Sequence, residues 1–298
     1  MKLSEIVDLL NNEFDLHKLG ENGLIDVSMM SRVNLIPQEI RSEFSASFFN
    51  TMNGLLLQSS EEVNFIVLST FLSDNVVLSM EKKGYKNSLL IVHHLFDMNC
   101  GTPNEMNGVP FHFLSNKSME IIRRNKISVY AVHLPFDLQC CRFNTSLAFA
   151  NHLSISQIYE PINTDLLKHI GYETTTDIDI GEYLKSKYVA VYRYGNGTDA
   201  DMTTKNVAII AGVISNVNML KELEHRGITH IICGDIFLCV DSERFRVVYD
   251  YVRKTELCIY CLSHNISESY GLTVLADYIL NRYNDISCEC IFENGEWK

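Results

Sequence analysis

The run VNFIVLSTFLSDNVVLSMEKKGYKNSLLIVHHLF, residues 63–96, decides the fold. It opens on a short apolar stretch, VNFIVLS from Val63, of the kind that forms a strand covered on both faces. The segment NVVLSMEKKG then reads as a helix and closes on Gly84, a residue suited to a helix C-terminus. A second apolar run, SLLIV from Ser88, follows and ends at His93-His94. Strand, helix and strand in this order are the unit of α/β architecture.

The pattern continues outward. Further strands are expected at ISVYAV (from Ile127), YVAVY (from Tyr188), VAIIAG (from Val207), ITHIIC (from Ile228) and LCIYCLS (from Leu257). Helical segments lie around NKSMEIIRRN, NTSLAFANHL, NVNMLKELEHRG and ESYGLTVLADYILNRY. The segment from Val207 repeats the order of the first: strand, helix closing on Gly227, strand, then Gly234-Asp235. Two interlinked α/β units with helix-covered mixed sheets are the expected fold class. The stretch from Pro161 to about Asp201 is polar and turn-rich, and is the expected linker.

Composition narrows the function. The chain has 298 residues, 46% of them hydrophobic, and a formal net charge of −12. That balance disfavours a general nucleic-acid binder and a protein that docks on an anionic membrane surface. The opening MKLSEIVDLLNNEF places Leu3, Ile6, Val7, Leu10 and Phe14 at helical spacing, an amphipathic helix rather than a signal peptide. With no apolar run approaching the roughly 20 residues of a membrane span, a cytoplasmic protein is expected. The nine cysteines form no spaced framework, and most sit in apolar runs. Cys258 and Cys261 have zinc-ribbon spacing, but Cys288 and Cys290 do not complete it, so buried reduced thiols are the better reading. Sequons at Asn116, Asn144, Asn196 and Asn265 carry little meaning without a secretory signal.

The chemistry gathers at strand ends. His93 and His94 follow SLLIV, and the C-terminal end of strands is where ligands bind in open α/β sheets. Neighbouring residues of a regular strand face opposite ways, so a shared site requires the backbone to turn there. The next strand runs into His133-Leu-Pro-Phe-Asp137, an imidazole and a carboxylate, a donor pair suited to zinc, iron, manganese or nickel. Asp137 has a second reading as cap of the helix near Asn144, and His133 as a satisfied core histidine. After LCIYCLS come His264 and Glu268, one helical turn apart and facing the same way if a helix begins there.

These three motifs carry a resemblance. IVHHLF, VHLPFD and SHNISES, in this order, are similar to the His-His, His-x-x-x-Asp and His-x-x-[Ser/Thr]-Glu pattern of the Nif3-like family, also called the GTP cyclohydrolase 1 type 2 homologues. NTSLAFANHL, VAIIAG and IICGDI resemble further family segments, so the likeness runs from about Val63 to Ile279. Carried over by position, it implies two divalent metal ions: His94 and Asp137 on one, His93 and His264 on the other, and Glu268 bridging. It makes Glu268 and His133 the catalytic candidates, with Asp235 and Ser267 supporting or facing substrate. It further implies a first domain over 1–160 bearing the His-His and Asp donors, and a second portion over 161–298 that returns His264 and Glu268 to the metals. A metal-dependent hydrolase with a nucleotide substrate of the GTP kind, assembled as a homo-oligomeric hexamer, completes the implied picture. The alternative is a non-catalytic role in metal handling or protein interaction. The sequence departs from the family at Gly212-Val-Ile-Ser, where a Gly-Gly-Ser-Gly run is usual. It also departs after Gly234-Asp235, where no histidine follows, and at Asn22-Gly23-Leu24, which lacks the usual preceding Trp-Asp.

Overall fold

A computed structural model of the chain describes residues 1–21, 26–98, 111–138, 140–163, 171–198, 204–236 and 243–292. By contact the chain forms two compact units. One comprises Met1–Met98, Phe111–Cys141 and Leu272–Glu293, and the other Asn99–Pro110, Arg142–Gly271 and Asn294–Lys298. The division implied by the resemblance falls at 160/161; contact groups residues 142–160 with the second unit and 272–293 with the first.

The first unit holds a five-stranded sheet in the order Gly54–Leu57, Ile127–Ala131, Ser88–His94, Phe65–Phe71, Ser287–Cys290. Its last four strands are parallel, and Gly54–Leu57 runs antiparallel at the edge. Helix Asp74–Lys82 makes the crossover between Phe65–Phe71 and Ser88–His94. Local sequence sets its ends: the Ser73 hydroxyl accepts from Val76 N–H, Asp74 lies in the first turn and Lys82 in the last. Gly84 then takes a φ of 73°, as a chain leaving a helix often requires. Val76, Val77 and Met80 from this helix join Val67, Leu90, Val92 and Val129 of the sheet in one buried cluster.

The second unit repeats the scheme. Its six-stranded sheet runs Glu160–Pro161, Gly171–Thr176, Lys205–Val213, His230–Asp235, Cys258–Cys261, Tyr192–Tyr194. The three strands Lys205–Val213, His230–Asp235 and Cys258–Cys261 are parallel, and the others antiparallel to their neighbours. Helix Val217–His225 makes the first crossover, capped by Asn216 and followed by Gly227 at a φ of 82°. Phe149, Leu153, Ile180, Leu184, Val207, Ile209, Ile232 and Tyr260 pack as its core. The echo read between Val63 and Val207 is thus an echo of topology. The chain is a mixed α/β protein, as expected.

The expected linker is corrected. Residues 161–201 supply strands Gly171–Thr176 and Tyr192–Tyr194 and helix Ile180–Lys187 to the second unit. Gly171–Thr176 is polar in composition, yet threonine is β-branched and the strand has a partner along its length in Lys205–Val213. The apolar run YVAVY proved a poorer guide: Val189 is 90% exposed, and pairing starts only where Tyr192 meets Cys261. The strands Gly54–Leu57 and Ser287–Cys290 and the helix Glu243–Val252 add to those expected.

None of the seven described cysteines is in a disulfide. Cys233 and Cys261 face each other on adjacent strands, sulfurs 3.6 Å apart, and burial pushes the Cys261 thiol well above its ordinary range. Such thiols are unreactive packing groups. No described helix is long and apolar enough to cross a membrane.

Candidate metal centre

The first unit gathers its donors at one end of its parallel strands. Strand Ser88–His94 ends on the histidine pair, which the sequence placed at a strand end. The ladder explains how both rings can serve one place. On the Ile127–Ala131 side pairing ends at Val92, and on the Phe65–Phe71 side His94 pairs opposite Phe71. The two imidazoles lie edge to face, ring centres 4.4 Å apart, and His133 lies 5.0 Å from His93 and 4.7 Å from His94. One nitrogen from each of the three lies within 4.8 Å of the others, a group that could hold a metal ion.

The chemistry of the donors fits a metal. His93 is fully buried, and its Nδ1 lies 3.0 Å from the Val132 carbonyl oxygen. A carbonyl only accepts, so Nδ1 carries the proton and donates, leaving the lone pair on Nε2. That Nε2 stands 3.6 Å from Asp137 Oδ1. An imidazole tied at one nitrogen by a backbone carbonyl, with the other beside a carboxylate, is how metal-ligating histidines are held. His94 stacks on Phe71, ring centres 5.1 Å apart at 23°, which limits its rotation.

Asp137 ends the single-turn helix Leu134–Asp137 that follows His133. Its reading as cap of the later helix is replaced: Asn144 caps Thr145–Leu153, its side chain accepting from Leu147 N–H at 2.8 Å. His133 has protein partners on both its ring and its main chain. Its Nδ1 lies 2.6 Å from Asp26 Oδ2, and its main-chain N–H donates to Asn53 Oδ1 at 2.8 Å. Nothing in the sequence pattern pointed to Asp26.

In the second unit, helix His264–Arg282 begins at His264 as expected, and Ser263 Oγ accepts from Ile266 N–H at 3.0 Å. His264 Nε2 and Glu268 Oε1 are 3.0 Å apart, one turn along the helix. The floor beneath them is glycine. A Cβ on Gly212 would lie 2.4 Å from Glu268 Oε1 and 3.4 Å from His264 Nε2, and one on Gly234 would lie 2.4 Å from Ser267 Oγ. Ser267 explains the closeness: its hydroxyl accepts from Gly212 N–H and donates to the His264 carbonyl, both at 2.9 Å. It therefore ties the start of the helix to the strand. Asp235 is buried at the end of its strand, with its main-chain carbonyl accepting from Ile214 N–H. Asn22, Gly23 and Leu24, and the segment after Ile236, lie outside the described residues.

A mixed α/β chain with imidazoles and carboxylates gathered at strand ends presents groups that could hold a metal ion. The likeness to known proteins is more particular. The description Duf34/NIF3 (NGG1p interacting factor 3) matches residues 42–296, and the chain belongs to that family. Among curated proteins it is 24% identical over 162 residues to the GTP cyclohydrolase 1 type 2 homolog of Ureaplasma parvum serovar 3. That match covers 54% of this chain and 59% of the relative, so the chain aligns with under two thirds of the relative's length. Among solved structures it resembles reduced HcgD from Methanocaldococcus jannaschii, with TM-score 0.60 and 16% identity over 97% of each chain. It resembles TTHA1606 from Thermus thermophilus equally, with TM-score 0.60 and 16% identity over 99% of this chain and 98% of that one. At such identity the structures speak for the fold alone.

Proposed function

We propose that this chain binds two divalent metal ions and acts with them as a hydrolase, its substrate a nucleotide of the GTP kind. The observation that carries the metal reading is the hold on His93: Nδ1 donates to Val132 and Nε2 stands beside Asp137. By the family resemblance, His94 and Asp137 would serve one ion, His93 and His264 the other, and Glu268 both. Three imidazoles and two carboxylates leave coordination positions open, as catalytic sites do. When bound, such ions supply Lewis acidity, lowering the pKa of water and offsetting negative charge as it develops. Glu268 is the carboxylate assigned to proton transfer, and His133 the imidazole assigned to work beside it. The donors accept zinc, iron, manganese or nickel, and availability selects among them. The GTP-like substrate rests on the printed name of the Ureaplasma relative and on the family resemblance.

Purified protein loaded with each metal in turn and assayed on GTP tests the reading. Glu268→Gln should keep the fold and reduce turnover by roughly 10²-fold or more, the scale of a lost acid–base group. Full metal loading with no turnover on nucleotides, phosphodiesters or cyclic amides would replace the enzyme by a metal-handling protein. Assembly as a homo-oligomeric hexamer and a cytoplasmic setting complete the proposal, and sedimentation velocity reads the first.

A further inference from the structure

The N-terminal segment departs from the family pattern, and it brings a carboxylate to the donor cluster. Asp26 is 4% exposed, among the most deeply buried acids of the chain. A buried carboxylate is costly unless its oxygens are all engaged. Here Oδ1 accepts from Met29 N–H at 3.2 Å, and Oδ2 accepts from Leu134 N–H at 3.2 Å. Oδ2 also lies 2.6 Å from His133 Nδ1. An ionised carboxylate only accepts, so this nitrogen carries a proton, and in the neutral ring the lone pair of His133 lies on Nε2.

The surroundings hold both partners rigidly. Asp26 N–H donates to the Thr51 carbonyl at 3.2 Å. Asn53 is fixed by three bonds to Thr51, leaving its Oδ1 to accept from His133 N–H. Thr51 and Asn53 are buried as well. Groups from two distant stretches of chain thus hold His133, Asp26 at the ring and Asn53 at the main chain, and the ring lies against both His93 and His94.

We propose that Asp26 is a positioning residue of the metal centre, acting through His133. Its carboxylate locks the Nδ1-protonated tautomer and makes His133 a fourth imidazole ligand, next to His93 and His94 and outside the five ligands that the family resemblance supplies, in place of the proton-transfer role given to it above. The proposal rests on the metal reading above, and it deepens that reading by adding a ligand and the group that orients it. Outer partners of this type set metal affinity, because they fix ring orientation and raise the basicity of the ligating nitrogen.

Two measurements on the full-length chain test it. The first needs no metal: long-range ¹⁵N–¹H correlation on protein labelled at histidine, with the His133 signals assigned from His133→Ala. His133 in the wild type should show a protonated Nδ1 and a bare Nε2, and Asp26→Asn should disturb that pattern. A wild-type His133 protonated at Nε2 overturns the proposal, whether or not any variant folds. The second is titration with Co²⁺, followed by its visible absorption and by calorimetry. Asp26→Asn should bind it about 10- to 100-fold more weakly, with an altered absorption band, and Asp26→Glu should recover part of the loss. Affinity and spectrum unchanged in Asp26→Asn and in His133→Ala overturn the proposal. Should the wild type take up no metal at all, the ligand role of His133 falls together with the metal reading, and the tautomer result alone then shows whether Asp26 positions the ring.

Discussion

Gly212 shows how a single missing side chain shapes the donor set. Its φ of 72° and its 2.4 Å approach to the Glu268 carboxylate leave no space for a Cβ. Gly84 has nearly the same backbone, φ 73°, with nothing within 4 Å of a Cβ. The pair separates strain from crowding. Alanine in a left-handed conformation costs about 1–2 kcal/mol at either position. Gly84→Ala should therefore lower Tm by a few degrees and leave metal content intact. Gly212→Ala should lower Tm at least as far and also lose bound metal, because Glu268 must move. Equal metal content in the two variants would show that the Glu268 carboxylate plays no part in binding. That the histidine pair, His133, Asp137, His264 and Glu268 stand at strand ends was legible in the sequence, because each follows an apolar strand, a position with a known meaning. Asp26 was not, since it reaches His133 across 107 residues and lies in no periodic pattern.

The edge strand Ser287–Cys290 shows what the sequence conceals about elements. It is four residues long, only half-buried along most of its length, and parallel to Phe65–Phe71. Without an apolar run it gave no strand signal. Part of its anchoring comes from Glu289, whose carboxylate accepts from Lys83 Nζ and the Tyr85 hydroxyl. The Lys83 and Tyr85 bonds hold the Glu289 pKa below the ordinary glutamate value, and the same carboxylate pushes Tyr85 up to about 12. A depressed folded-state pKa means that the contribution is complete above the unfolded value and disappears as pH falls through the folded one. Lys83 and Glu289 are 44% and 32% exposed, so solvent screening keeps the effect below about 1 kcal/mol. Denaturant midpoints of wild type and Glu289→Gln should differ slightly at pH 7 and converge below about pH 4. A difference that grows on acidification contradicts this account. By contrast, the central strands were legible from composition, because burial on both faces demands continuous apolar runs. GYETTT and YRY, on or near sheet edges, are not under that demand.

At the scale of the whole molecule, each unit places imidazole and carboxylate four residues apart after the third of its parallel strands, His133 with Asp137 and His264 with Glu268. The two halves of the sequence therefore supply donors by the same topological device. Ligands that bind only the folded state stabilise it, by about 2.7 kcal/mol at a hundred times the dissociation constant. For a chain of this size, chelation should lower the wild-type Tm by roughly 4 °C for each ion removed. The same chelator should leave Tm unchanged in His93→Ala. The division into units was only partly legible: polar stretches look like linkers, yet residues 171–194 supply two strands of the six-stranded sheet. The most direct measurement of the central claim is elemental analysis of purified wild type beside His93→Ala and Glu268→Ala. The account predicts about two divalent ions per wild-type chain, in keeping with a shared two-metal site, and clear loss in both variants. Variants that fold and retain the full wild-type metal content would contradict it.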